Sequence, residues 1–250
     1  MTEKAERQQY LIDVYRDTIS RYTVSNFLVH KSIKYNYDST DFNIMYGRAF
    51  ESPAKIIVEN IDTFELARKL KENVMVLNLA SHINAGGGVE NGAIAQEEDL
   101  FRKSNYFQTL NQNFYPLAMN EVVYSPLVYI IKDNNYRPCT PMPVACLAVA
   151  AILNPKVIAD NGVKKYENFS DFQIMKKKIE MIFKVAIKHN HHNLVLGALG
   201  CGAFYNPPDQ VAYIFKSCIE KYKYNFKTIS FAILSGPGNN NFNVFNKILK

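Results

Sequence analysis

Apolar residues recur at helical spacing between residues 4 and 22, which predicts a helix lying across the surface of the domain. Residues 23–52 are polar and irregular. From residue 55 the pattern becomes regular. Lys55-Ile56-Ile57-Val58-Glu59 reads as a strand, and Asp62 opens a helical pattern through Phe64, Leu66, Ala67 and Leu70. Val74 to Ala80 is a near-continuous apolar run, the mark of a strand covered on both faces. A glycine-rich loop at 84–92 leads into a helix from about Ile94 to Leu110. Extended segments at 122–124 and 128–131 flank Ser125-Pro126, and Val144 to Leu153 is a second buried strand. A long amphipathic helix at 171–189 precedes a third, Leu194 to Gly200. A helix from Asp209 to about Tyr222, a strand from Thr228 to Leu234 and a helix at 241–249 complete the chain. Strands alternating with helices predict an α/β three-layer sandwich on a parallel or mixed sheet. Residues 53–250 read as one domain, with residues 1–52 as an N-terminal helical extension.

Composition changes this picture little. A length of 250 residues fits one domain, and 48% apolar residues sustain a core. No apolar run reaches 18 residues, so no membrane partner is expected. Met1 to Tyr10 is polar and carries both charge signs, unlike a secretory signal, so the cytosol is the expected compartment, with the nucleus as the alternative. A net charge of +6 suits a polyanionic partner, although Lys, Asn, Ile and Tyr are abundant together, as a coding bias would also make them. Lys176-Lys177-Lys178 reads as the exposed face of a helix. Cys139, Cys146, Cys201 and Cys218 form no CxxC pair, and neither a metal site nor a cofactor is expected. His189, His191 and His192 read as a solvated helix C-terminus.

Two loops carry candidate chemistry, and both leave the C-terminal end of a buried strand, where open α/β sheets bind ligands. One is Asn84-Ala85-Gly86-Gly87-Gly88; the other runs from Gly197 to Phe204. Glycines let backbone approach a ligand closely, and successive amides can form an anion nest. Two such loops suit a diphosphate. Neither is a Walker A loop or a GxGxxG fingerprint. The helix after the first loop begins Gln96-Glu97-Glu98-Asp99. Acidic residues are ordinary in a first turn, but Glu98 falls one helical turn beside the anion loop. Adjacent carboxylates disfavour two negative charges, which raises one pKa. About 100° apart on the helix, they do not flank a bond as a conventional glycosidase pair.

Gly86-Gly87-Gly88, seven residues, then Gln96-Glu97-Glu98 resembles the signature of the microbial-type poly(ADP-ribose) glycohydrolases. Tyr124-Ser125-Pro126, Ala150 to Pro155, Leu194 to Asn206 and Phe231 to Leu234 look like that family's other blocks in the same order, so the likeness runs from about residue 50 to the end. The resemblance implies a macrodomain-like fold with a mixed central sheet. It implies hydrolysis of ribose–ribose bonds in poly(ADP-ribose) with release of ADP-ribose, and a monomer is expected. Glu98 matches the catalytic acid, and Glu97 the neighbour that holds ribose hydroxyls. Asn84 matches the contact to the distal ribose, and Gly86, Gly87, Gly88, Val89 and Gln96 join it in the substrate-binding set. Gly200, Cys201, Gly202 and Ala203 match the second phosphate loop, and Phe204 the aromatic that positions the distal ribose. Asn78 and Ala80 resemble core positions. Cys201 is rejected as a nucleophile, since no His accompanies it by motif. Two alternatives stay open: a macrodomain that binds ADP-ribose without cleaving it, and a hydrolase for ADP-ribose attached to protein or nucleic acid.

Overall fold

The structure is a computed structural model, and it describes residues 2–23, 27–39, 47–236 and 238–250. Part of the polar stretch read as irregular lies outside the described residues.

Among the described residues, seven strands form one sheet: β1 (Ile33–Asn36), β2 (Lys55–Glu59), β3 (Val74–Leu79), β4 (Glu121–Lys132), β5 (Pro138–Val149), β8 (Asn193–Leu196) and β9 (Thr228–Ala232). Their spatial order is β1-β4-β5-β3-β8-β9-β2. β5, β3, β8, β9 and β2 run parallel, and β4 is antiparallel to both β1 and β5. The mixed sheet is therefore mostly parallel, as expected.

Helices cover both faces. α5 (Phe169–Lys188), α6 (Pro208–Tyr222) and α7 (Asn241–Leu249) close one face over Met75, Leu77, Leu147 and Leu194. α2 (Thr63–Leu70), α3 (Gln96–Lys103) and α4 (Tyr106–Thr109) close the other over Val74, Val76, Val128 and Cys146. α1 (Glu3–Thr23) lies outside this layer, against α3 and the turn at 89–91. Asp62 caps α2 as its sequence suggests: one carboxylate oxygen accepts from the amides of Phe64 (2.9 Å) and Glu65 (3.1 Å).

Several elements differ from the pattern reading. The helix expected to run to Leu110 breaks at Ser104, whose hydroxyl donates to Leu100 O at 2.6 Å. The next residue, Asn105, is drawn to β4, donating to Tyr129 O at 3.2 Å and accepting from Tyr129 N at 2.7 Å. Ser and Asn compete with a helix in this way. The two segments around Ser125-Pro126 are one strand with a register shift between Ser125 and Val128, where proline lacks the amide a ladder needs. A hairpin, β6 (Val157–Asp160) with β7 (Val163–Tyr166), turns on Asn161-Gly162, both at positive φ. Lys178 is buried rather than exposed, and burial lowers its pKa to about 8. The histidines are packed, not solvated. Tyr124 stacks on His189 at 3.9 Å and bonds His191 at 2.8 Å, and burial holds both rings below the usual imidazole range.

Candidate active site

A cavity of about 1130 Å³ opens at the carboxyl edge of the parallel strands, between the segments that follow β2, β3, β8 and β9. Of the residues singled out in the sequence, Asn84, Gly87, Gly88, Gln96, Glu97, Glu98, Gly200, Gly202, Ala203 and Phe204 line it. Gly86, Val89 and Cys201 do not. Val89 instead packs into the core under α3.

The strand pattern places the acids. Val74 and Val76 face α3, so Asn78, in phase with them, faces α3 as well. Its amide donates to Glu97 Oε1 at 3.0 Å. Gly86 N donates to the same oxygen at 3.2 Å, and Ser81 N donates to Glu97 Oε2 at 2.6 Å. Glu97 is 2% exposed, and its pKa is pushed up to about 8. Burial is the main cause and the neighbouring Glu98 charge adds to it, while the three donated hydrogen bonds pull the other way. Glu98 is 6% exposed, and its Oε1 accepts from Gly88 N at 2.9 Å. Its Oε2 is buried without a hydrogen-bond partner among the described residues.

Gln96 is a brace between elements. Its carbonyl accepts from Leu79 N at 2.9 Å, while its amide donates to Leu77 O at 2.8 Å and Thr63 Oγ1 at 3.3 Å. The start of α3 is thereby tied to the end of β3, which fixes where the two carboxylates stand.

The two glycine loops differ in the fate of their N–H groups. Every amide from Ala85 to Val89 has a protein acceptor: Gln112 Oε1, Glu97 Oε1, Asn84 O, Glu98 Oε1 and Gly86 O in turn. The first loop, expected as an anion nest for a ligand, is instead a cradle for the protein's own carboxylates. A Cβ on Gly87 would collide with Glu98 Oε1 and stand 3.2 Å from Glu97 Oε2, and its φ of +58° is itself unfavourable to a side chain. In the second loop, the amides of Gly200, Gly202, Ala203 and Phe204 have no protein acceptor among the described residues. A Cβ at Gly202 would meet nothing within 4 Å. Asn206 holds this loop by donating to Ile152 O (2.7 Å), Gly200 O (3.2 Å) and Phe204 O (3.3 Å), and Tyr166 OH donates to Asn206 at 2.8 Å. Cys201 turns its thiol toward Leu199 O at 3.6 Å, and burial pushes its pKa well up, which leaves a poor nucleophile.

Sequence reasoning passed over His82 and Gln112. The His82 ring meets Phe204 edge-on at 6.0 Å, joining the first loop's lead-in to the second loop. Gln112 accepts from Ala85 N and donates to Ile83 O at 3.0 Å. Neither sits in a motif, and neither lines the cavity; the fold sets both behind its loops. Among the described residues no three His, Cys, Asp or Glu side chains converge as metal ligands, and no helix is long and apolar enough to cross a membrane.

Residues 18–133 match the family model described as microbial-type PARG, catalytic domain. Among solved structures, the chain is similar to poly(ADP-ribose) glycohydrolase (PARG) from Thermomonospora curvata, with a TM-score of 0.84 and 24% identity over 96% of this chain and 99% of that one. The form of that protein bound to the inhibitor ADP-HPD aligns with a TM-score of 0.80 and 24% identity over the same shares. A point mutant of PARG from Deinococcus radiodurans, in complex with ADP-ribose, aligns with a TM-score of 0.70 and 26% identity over 98% of this chain and 92% of that one. No curated protein matches the chain.

Proposed function

We propose that this chain, which resembles the microbial-type PARG catalytic domain over residues 18–133, belongs to that family, and that it hydrolyses the ribose–ribose bonds of poly(ADP-ribose) and releases ADP-ribose, with Glu98 as the acid and base. The catalytic body is residues 53–250, and α1 of the extension braces it. The observation that carries the assignment is the contrast between two adjacent carboxylates. Both oxygens of Glu97 are held by donors, whereas Glu98 keeps one oxygen buried in the cavity wall without a partner. A group that gives and takes a proton needs that open oxygen.

The terminal ADP-ribose unit lays its diphosphate along the unpartnered amides of Gly200, Gly202, Ala203 and Phe204. The distal ribose then lies between Phe204 and the carboxylates, with Asn84 at the rim and Glu97 holding hydroxyls. Protonated Glu98 donates to the oxygen that leaves for the next unit. As the C–O bond breaks, the anomeric carbon gains oxocarbenium character, which the nearby diphosphate offsets. The Glu98 carboxylate then takes a proton from the water that attacks this carbon, so the acid is regenerated.

Glu98→Gln keeps side-chain volume and the Gly88 hydrogen bond but removes the proton. Hydrolysis of poly(ADP-ribose) is expected to fall by roughly 100-fold or more while ADP-ribose affinity persists. Product analysis on the polymer, on mono-ADP-ribosylated protein and on ADP-ribosylated DNA gives the bond class. Near-normal turnover by this variant would remove Glu98 from the mechanism. Tight ADP-ribose binding without cleavage of any of the three by the wild type would make the protein a reader.

A further inference from the structure

Tyr205 directly follows the cavity-lining loop, and its conformation and exposure are both unusual. Its φ is +56°, a left-handed conformation that a bulky side chain rarely adopts. The flanking contacts impose this turn. Tyr205 N donates to Gly202 O at 3.0 Å, and Asn206 grips the carbonyls of Gly200 and Phe204. Glycine takes such a position at no steric cost. The ring does not offset the strain by burial, because Tyr205 is 71% exposed. An exposed aromatic on a strained backbone at a binding loop points to a role outside stability.

We infer that Tyr205 is a stacking platform for the base of the second ADP-ribose unit, the one that departs when the bond breaks. The inference rests on the proposed glycohydrolase activity, which puts the distal ribose beside Phe204 and Glu98, at the end of the cavity where the scissile bond lies. The leaving oxygen belongs to the ribose of the next unit, so that unit's purine continues outward from the Phe204 end of the site. Tyr205 is the next residue along the chain, and its exposed ring offers a face to that base. Base–aromatic stacking needs no hydrogen-bond readout, only an accessible ring. The turn sets the backbone that carries the ring at the edge of the loop. The platform distinguishes polymer from free ADP-ribose, which has no second base.

The test compares Tyr205→Gly and Tyr205→Phe with the wild type. For each, calorimetry gives the Kd for ADP-ribose, and release of ADP-ribose gives kcat and KM on poly(ADP-ribose). Tyr205→Gly is expected to raise the polymer KM about tenfold, the scale of one stacked base, with the ADP-ribose Kd unchanged within about twofold. Its melting temperature is expected to equal or exceed that of the wild type, since the turn is relieved. Tyr205→Phe keeps the ring and is expected to restore the wild-type KM. An unchanged polymer KM in Tyr205→Gly, a matching loss of ADP-ribose affinity, or a Tyr205→Phe variant as weak as Tyr205→Gly each overturns the platform. A wild type that neither binds ADP-ribose nor cleaves polymer overturns the glycohydrolase activity itself, and the platform with it.

Discussion

Gly87 has no side chain because two carboxylates occupy the space where one would stand. Gly87→Ala is therefore expected to displace Glu98 and cost activity even where ADP-ribose still binds. Gly202→Val adds bulk to open cavity space, so it is expected to fold normally and lose ADP-ribose affinity. Melting curves, calorimetric titration and turnover on the same preparations separate the two; equal effects on binding would mean the loops do not divide the work. Glu97 gives a pH prediction. Its carboxyl is raised from 4.5 to about 8, with burial as the main cause. Between those values the folded protein keeps a proton that the unfolded chain has lost. The fold is thus favoured most below the lower value and loses stability as pH rises through the upper one. Glu97→Gln cannot titrate, so its melting temperature is expected to fall less than that of the wild type between about pH 5 and 8. Parallel curves would place the titrating group elsewhere.

α1 belongs to the site in two ways: Arg7 and Leu11 line the cavity, and the helix packs on α3. Arg102, one turn beyond Glu98, is buried and donates to Leu11 O at 3.2 Å and to Ala93 O. Lys132 on β4 reaches Val14 O at 3.0 Å, Thr18 Oγ1 at 2.7 Å and Asp17 Oδ2 at 2.7 Å. Gln8 Nε2 donates to Asn91 O at 2.7 Å, against a turn where Gly92 has a φ of +72°. Lys132→Met keeps the volume but leaves the Val14 carbonyl with one donor fewer. It is expected to destabilise the fold by about 1–3 kcal/mol, with faster amide exchange along α1 than elsewhere. Urea unfolding and hydrogen exchange check this; exchange that quickens evenly across all helices would deny the local role. α1 was legible from Leu11 onward, where Leu11, Val14, Tyr15 and Ile19 fall at helical spacing. Its anchors were not, since a buried lysine on a strand reads as an exposed one.

At the scale of the whole molecule, the alternation of strands and helices from residue 55 carried the layer architecture, because a strand covered on both faces is apolar at nearly every position. β1 escaped because only Tyr35 of its four residues is buried, so it leaves no periodic trace. The β6–β7 hairpin escaped although Asn161-Gly162 is a strong turn pair, because β6 is exposed throughout and neither short strand shows apolar alternation. The acids and both glycine loops stood out as motifs. Which loop's amides are free did not, since that depends on where the carboxylates swing. The free amides of the second loop bear on ionic strength. They offer a diphosphate neutral dipoles, and two of the cations along the cavity are already committed: Arg102 to carbonyls, Lys103 to Asp62, Asp99 and Asn134, while Arg7 of α1 lines the cavity as an exposed side chain. Salt screens attraction between exposed charges more than it weakens hydrogen bonds from fixed amides in a pocket. Despite the net charge of +6, ADP-ribose affinity is expected to change by less than about threefold between roughly 50 and 500 mM salt. Titrations across that range read it directly, and a steep logarithmic slope would mean that mobile surface cations hold the diphosphate. A pocket built this way would hold its ligand nearly as well in strong salt as in dilute buffer.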